Sequence, residues 1–346
     1  MSQRSAIKIL VCALALSLAL PSLAAAQPNK HRLLLTNTAA DNVVAYDRNT
    51  GAFLGEFIGA GAGLDSPDSM IIGPDGMLYI STGTTLANSA VLRFDPDTGA
   101  LIDTFASGNG MFRPYGIGFG PDGLLYVASF LSDELLRFDG AGNFVDVFAT
   151  GDGFPGGLNG PNGITFGPDG RLYITTQGSI AVNGVPTFPG LPSQVLSYDI
   201  SNGTSEVFAT PNPSPEGFGF VSLLGIEFTP NCKSNPQSSE CDVFVSDFAN
   251  DIRRYDVDGN LEAVYSTNYT GTLPSNNFVG SLSFGRGGNL YSTGFDLTDA
   301  ATPGAILRYK WTENADFPAD GNSGAIFVGP TNDLVRSIGI LALPRP

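Results

Sequence analysis

Aligning six copies of a short apolar strand brings Asp68, Tyr115, Asn162, Leu224, Gly280 and Arg336 to one position. A carboxylate, a phenol, a carboxamide and a guanidinium at one level of a repeated structure can hold a ligand through hydrogen bonds and charge. Leu224 and Gly280 add no polar side-chain atoms, and Arg336 next to Asp68 reads first as a structural ion pair that closes the ring, ahead of a metal site. Glu227 lies in the strand Gly225-Ile-Glu-Phe228, aligned with Ile71, Gly118, Thr165, Ser283 and Gly339. A carboxylate among small or apolar equivalents is expected to be partly buried, which raises its pKa unless it is paired. Such a group serves as a general base or as a satisfied structural acid. Glu216 is a second acid that could assist chemistry. The single histidine, His31, leaves almost no room for zinc-His or Ser-His-Asp mechanisms, and neither a nucleophile elbow nor a phosphate loop is present.

The elements that must position these side chains are repeats. Val43-Val-Ala-Tyr-Asp47, Val91-Leu-Arg-Phe-Asp95, Leu135-Leu-Arg-Phe-Asp139, Val195-Leu-Ser-Tyr-Asp199, Ile252-Arg-Arg-Tyr-Asp256 and Ile306-Leu-Arg-Tyr-Lys310 start 44 to 60 residues apart. That period and strand-like composition point to propeller blades. Gly73-Pro-Asp-Gly76, Gly120-Pro-Asp-Gly123 and Gly167-Pro-Asp-Gly170 recur at intervals of 47 and read as tight turns, because Pro fixes φ and Gly permits positive φ. A short strand precedes each turn and an apolar one follows it; the five-residue motif is the third strand and segments such as Phe144-Val-Asp-Val-Phe148 are the fourth. The fold class is therefore all-β: a six-bladed β-propeller of four-stranded antiparallel blades. Arg32-Leu-Leu-Leu-Thr-Asn37 matches a second strand with no first strand before it, and Arg336-Ser-Ile-Gly-Ile-Leu341 matches a first strand with nothing after it. The C-terminus is expected to supply the inner strand of the N-terminal blade and leave no free edge. Arg93, Arg137, Arg254 and Arg308 recur at one place in the third strands and read as a solvated, salt-bridging row.

Long connections should rise around the mouth of the central channel: Thr176 to Ser193 with Asn183, Phe188 and three prolines, Gly294 to Ala305 with Asp296 and Asp299, Asp152 to Leu158, and Pro211 to Phe220. Long loops on a rigid scaffold often carry function, and tolerated insertions look the same in sequence.

Residues 1–26 read as a secretory signal peptide, with Arg4 and Lys8, the apolar run Ile9 to Leu20 and Ala24-Ala25-Ala26 in order. Residues 27–346 are expected to form one exported propeller domain, periplasmic or extracellular, without membrane insertion and monomeric. Loss of the peptide leaves 15 basic against 33 acidic residues, a net charge of −18 that disfavours nucleic acid and anionic membranes as partners. Cys232 and Cys241, with eight residues between them, read as a disulfide in an exported chain; a metal-binding pair would want further Cys or His nearby.

Ser246-Asp-Phe-Ala-Asn-Asp-Ile-Arg-Arg-Tyr-Asp256 and Pro161-Asn-Gly-Ile-Thr-Phe-Gly-Pro-Asp-Gly-Arg-Leu-Tyr173 resemble NHL-repeat propellers and the related SMP-30/gluconolactonase-like and strictosidine-synthase-like six-bladed group, across nearly the whole mature chain. The resemblance implies a site at the channel mouth where acids and asparagines hold a divalent cation such as calcium, which polarises a lactone carbonyl and activates water. Asp68 and Asn162 match those metal positions; Leu224, Gly280 and Arg336 depart from them. Two functions follow. One is a non-catalytic module binding a small molecule, glycan or protein on the loop-rich face. The other is a cation-dependent lactonase or esterase with Glu227 or Glu216 assisting. The lone His31 argues against the streptogramin lyases, whose activity relies on a histidine.

Overall fold

The computed structural model describes residues 31–233, 241–249, 251–299, 301–310 and 325–343. The expected signal peptide lies outside the described residues. Blade 1 begins with β1 (Arg32–Asn37), β2 (Asn42–Asp47) and β3 (Phe53–Ile58). Blade 2 is β4 (Met70–Ile72), β5 (Leu78–Thr82), β6 (Ala90–Phe94) and β7 (Leu101–Ser107); blade 3 is β8 (Pro114–Phe119), β9 (Leu125–Ser129), β10 (Glu134–Phe138) and β11 (Phe144–Thr150). Blade 4 is β12 (Pro161–Phe166), β13 (Leu172–Thr176), β16 (Val195–Tyr198) and β17 (Ser205–Ala209), with the hairpin β14 (Ile180–Val182) and β15 (Val185–Thr187) inserted between its middle strands. Blade 5 is β18 (Leu223–Phe228), β19 (Val243–Asp247), β20 (Asp251–Tyr255) and β21 (Leu261–Ser266). Blade 6 is β22 (Asn277–Gly285), β23 (Asn289–Asp296), β24 (Pro303–Lys310) and β25 (Ile326–Val335). The last strand, β26 (Ser337–Leu343), pairs antiparallel with β1 and completes blade 1, so the ring closes as the chain ends implied.

Local chemistry explains each blade. The turn acid Asp75 accepts the Met77 N–H at 3.1 Å and the Tyr79 hydroxyl at 3.0 Å, and Asp122 with Tyr126 and Asp169 with Tyr173 repeat the arrangement. Gly76, Gly123 and Gly170 sit at φ of 81°, 81° and 78°, a conformation that only glycine adopts without penalty. The acids that end the five-residue motifs cap the next turns: Asp95 accepts from the Thr98 N–H at 2.8 Å and Asp256 from the Asn260 N–H at 2.8 Å. Those backbone and side-chain hydrogen bonds hold the Asp95 and Asp256 carboxyls below the ordinary carboxylate range.

Apolar side chains on facing sheets fill the spaces between blades. Leu34 and Ile58 meet Leu78 and Phe94 between blades 1 and 2, and Leu33 and Tyr46 meet Tyr291 and Ile306 between blades 1 and 6. Closure is thus built into the core as well as the strand pairing. Three arginines of the row pair with acids, Arg93 with Asp103 at 2.5 Å, Arg137 with Asp146 at 2.6 Å and Arg254 with the buried Asp242 at 2.9 Å, while Arg308 departs from the expectation and stacks on Phe327. Cys232 and Cys241 are bonded and buried; closing so short a loop contributes about 2 to 3 kcal/mol on the loop-entropy model.

Candidate functional site

At three places an inner strand lies so close to the inner strand of the next blade that no side chain fits between them. A Cβ on Gly116, Gly163 or Gly339 would collide with the carbonyl oxygen of Asn162, Leu224 or Asp68 in the next blade. Second-strand hydroxyls lock the same junctions. Thr36 Oγ1 accepts the Gly339 N–H at 2.7 Å and donates to the Asp68 carbonyl at 3.0 Å. Ser81 Oγ accepts the Ser69 N–H at 3.0 Å and donates to the Tyr115 carbonyl at 2.6 Å. Thr175 Oγ1 accepts from Gly163 at 2.8 Å and donates to the Leu224 carbonyl at 2.7 Å. Each clamp fixes the backbone of a residue at the channel mouth.

Strand register defines that level. Ile117 pairs with Val127, Ile164 with Ile174, Ile226 with Val245, Leu282 with Ser292 and Ile340 with Leu35. Counting back two residues gives Tyr115, Asn162, Leu224, Gly280 and Ile338, with Asp68 equivalent through the Met70–Ile80 pair. The sequence alignment had Arg336 in the sixth place; the structure puts Ile338 there. Arg336 instead stands two residues earlier, where its counterpart is Arg113. The cause is Gly339, which packs against the neighbouring blade as Gly116 does and sets the register. The same shift makes Leu341, rather than Gly339, the counterpart of Glu227.

Asp68, Tyr115, Asn162, Leu224 and Arg336 nevertheless line one cavity, of about 960 Å³, at the mouth of the channel. Asp68 is 8% exposed and Asn162 2% exposed. Among the described residues neither side chain has a hydrogen-bond partner within the protein, and no ion pair within 4.0 Å joins Asp68 to Arg336. The expected ring-closing ion pair is therefore absent; β26 pairing and the glycine contacts close the ring instead. Burial pushes the Asp68 carboxyl up to about 7, against the opposing pull of Arg113 and Arg336. Arg113 Nε donates to Tyr115 Oη at 2.9 Å, and the Tyr115 ring packs on Phe130 at 4.7 Å. Burial also raises the Tyr115 phenol, so it is a neutral donor at ordinary pH.

Two of the four long loops form the walls: Pro186, Phe188 and Pro192 come from the 176–193 connection, and Pro211, Asn212 and Phe220 from the 211–220 connection. The 152–158 loop supports them, its Gly156 N–H donating to Gln194 Oε1 at 2.8 Å. Asp133 anchors the inserted hairpin, accepting the Ala181 N–H at 2.6 Å. No described residue of the 294–305 connection lines the cavity. Phe248 completes the wall beside Ser222. Both flank Asp247, whose carboxylate accepts the Ser222 N–H at 2.9 Å and the Ala249 N–H at 3.1 Å and pairs with buried Arg253 at 2.9 Å.

Glu227 is elsewhere. It lines a second cavity, of about 560 Å³, with Pro74, Pro168 and Phe228 at the far end of the channel, where the Pro-Asp-Gly turns lie. Glu216 does not line the mouth either; it accepts from the Ser266 hydroxyl at 2.6 Å and its carbonyl from the Ser275 N–H at 2.7 Å, tying blade 5 to blade 6. His31 lies beyond the end of β1 that pairs with Leu343, away from Arg336, and its ring contacts Arg48. Arg113 was missed from sequence. Its signal was the Arg-Pro step before β8, matched in place by Arg336 before β26.

A divalent cation fits this lining poorly. Among the described residues Asp68 is the single carboxylate in it, two guanidiniums face that carboxylate, and no three His, Cys, Asp or Glu side chains come together. Calcium takes six to eight oxygens and favours several carboxylates. Adding calcium or a chelator is accordingly expected to leave the melting temperature within about 1 °C, since a ligand that does not bind the native state cannot stabilise it. A calcium-dependent rise of several degrees that Asp68→Ala removes would contradict this.

No protein-family model matches the chain, and no curated protein sequence does. Solved structures are similar in fold. A chain of the nidogen/laminin complex superposes with a TM-score of 0.59 at 13% identity, covering 91% of this chain and 100% of that one. A catalytically inactive virginiamycin B lyase from Staphylococcus aureus, with quinupristin, gives 0.50 at 16% identity over 84% of both chains. A protein from Lactobacillus plantarum gives 0.50 at 13% identity, over 83% of this chain and 81% of that one. The chain is thus a six-bladed β-propeller. At these identities the likeness concerns the fold, and activity has to be argued from the site.

Proposed function

We propose that the protein is a binding module that takes a small organic molecule into the cavity at the channel mouth, on an NHL-like propeller exported by the segment 1–26. The observation that carries this reading is a concave site of about 960 Å³ floored by two buried polar side chains, Asp68 and Asn162, that the protein itself leaves without hydrogen bonds among the described residues. Buried polar groups are nearly always satisfied, and a ligand or the water it displaces supplies the partner here. The rigid floor and loop-built walls divide the labour: clamped inner strands hold the polar groups still, while the walls set shape. The disulfide suits an oxidising compartment, and among the described residues no helix is long and apolar enough to cross a membrane. The lactonase alternative loses support because the floor lacks a cation's donor set and because Glu227 and Glu216 lie away from Asp68.

The test is a thermal-shift screen of a small-molecule library on wild type and Asn162→Leu. A ligand at a hundredfold its Kd stabilises the native state by about 2.7 kcal/mol. Hits that shift wild type and leave Asn162→Leu unmoved are expected. Hits that shift both alike would place binding outside the mouth and overturn the reading.

A further inference from the structure

Although the chain carries 33 acidic against 17 basic residues, two arginines at the mouth form no ion pair among the described residues, with Asp68 near them but not in contact. Arg32, Arg93, Arg137, Arg171, Arg253 and Arg254 each lie within 4.0 Å of an Asp or Glu. Arg113 and Arg336, like Arg286 and Arg308, do not, among the described residues; what sets Arg113 and Arg336 apart is that both line the same cavity. Apart from the Arg113 Nε bond to Tyr115, neither guanidinium makes a hydrogen bond to the described protein.

Their backbones are held in place at a cost. Arg113 has φ of 50° and Arg336 of 47°, the left-handed region unfavourable to residues with a Cβ. The equivalent positions in blades 2 and 4 are Ser66 at φ 50° and Gly160 at φ 64°, so the conformation belongs to the repeat and aims whichever side chain stands there. Arg113 N donates to Ser89 Oγ at 2.9 Å, and the Arg336 carbonyl accepts from Thr38 Oγ1 at 2.7 Å. The surroundings over-determine a strained conformation at both places, and both side chains reach the cavity.

Resting on the mouth-cavity reading, we infer that the ligand is an organic monocarboxylate with an aryl or alkyl body, its carboxylate held by Arg113 and Arg336 and its body packed against Phe188, Phe220 and Phe248. Guanidiniums match a carboxylate in charge and planar geometry. The Asn162 amide offers a further donor to the same group. Asp68 sets the charge of the ligand: two arginines and one carboxylate leave a single positive charge to neutralise, and a phosphate dianion would meet Asp68 head-on. Phe188, Phe220 and Phe248 offer apolar faces for the remainder of the molecule to cover.

The test uses 2-naphthylacetate, 4-phenylbutyrate and hexanoate, each paired with its carboxamide, titrated by calorimetry into the full mature protein at pH 8. At least one carboxylate is expected to bind ten times or more tighter than its amide. Arg336→Met should abolish that preference while keeping the wild-type fold by circular dichroism. Asp68→Asn, which removes the competing negative charge, should tighten carboxylate binding several-fold. If acids and amides bind equally and Asn162→Leu blocks both, the carboxylate inference fails and the cavity reading stands. If none of the six compounds binds, or if Asp68→Asn weakens the carboxylates, the inference is overturned.

Discussion

Arg253→Met is expected to destabilise the protein by about 3 to 5 kcal/mol, the range for removing one partner of a buried ion pair. Arg253 is 2% exposed and meets Asp247 at 2.9 Å and Asp251 at 2.8 Å, both acids also buried. Methionine fills much of the volume but leaves two carboxylates facing each other out of water. Burial already raises both, Asp251 to about 6, with Arg253 pulling each down. Denaturant unfolding at pH 7.5 measures the loss, and a change under about 1 kcal/mol, the size of an exposed pair, would contradict the assignment. The triple change Arg253→Met, Asp247→Asn, Asp251→Asn should recover part of the loss, because the amides carry no charge. Because Asp247 holds Ser222 and Ala249 on either side of Phe248, the single variant should also loosen the cavity wall.

Asp68→Asn is expected to act in the opposite direction and to depend on pH. The Asp68 carboxyl ordinarily titrates near 3.8 and is pushed up to about 7 in the folded protein. Between those values the unfolded chain has released its proton and the native state still holds it, so stability falls as pH rises. Each pH unit in that interval costs about 1.4 kcal/mol, on the order of 4 kcal/mol by pH 8. The contribution is fully present below pH 3.8 and lost above about 7. Asparagine does not titrate. Asp68→Asn should therefore gain on wild type progressively between pH 4.5 and 8 in paired urea melts, and flat parallel curves would show that the carboxyl is solvated or paired. The comparison isolates Asp68 from Asp133 and Asp242, which burial also raises.

The blades were legible because their signals are local. A Pro-Asp-Gly turn, its tyrosine two strand positions on and a motif-ending acid each act over a few residues, so repetition in sequence maps directly onto repetition in space. The site was less legible because it is assembled between blades. Asp68, Tyr115 and Asn162 come from equivalent positions, so counting alone places them together on one cavity. Arg336 was found but assigned to the wrong level, because the two-residue offset depends on Gly339 meeting the Asp68 carbonyl, a contact between blades 1 and 2 that no local pattern displays. Arg113 was missed for the same reason. Glu227 looked promising as an acid in an inner strand, but it stands three residues along β18 from Leu224, the mouth-level residue of its blade, and lines the cavity at the other end of the channel. The triad around Arg253 was hidden inside a motif whose other arginines face solvent: Arg254 continues the salt-bridged row, whereas Arg253 points inward because successive strand residues face opposite sides.

A crystal structure of the protein with the tightest compound from the carboxylate and carboxamide set, at pH 8, tests the central claim most directly. That compound is expected in the cavity at the channel mouth, within hydrogen-bond distance of Asn162 and Arg336 and packed against Phe188. A ligand seated instead at the Glu227 end of the channel, or on the outer strands with the mouth filled only by water, would contradict it.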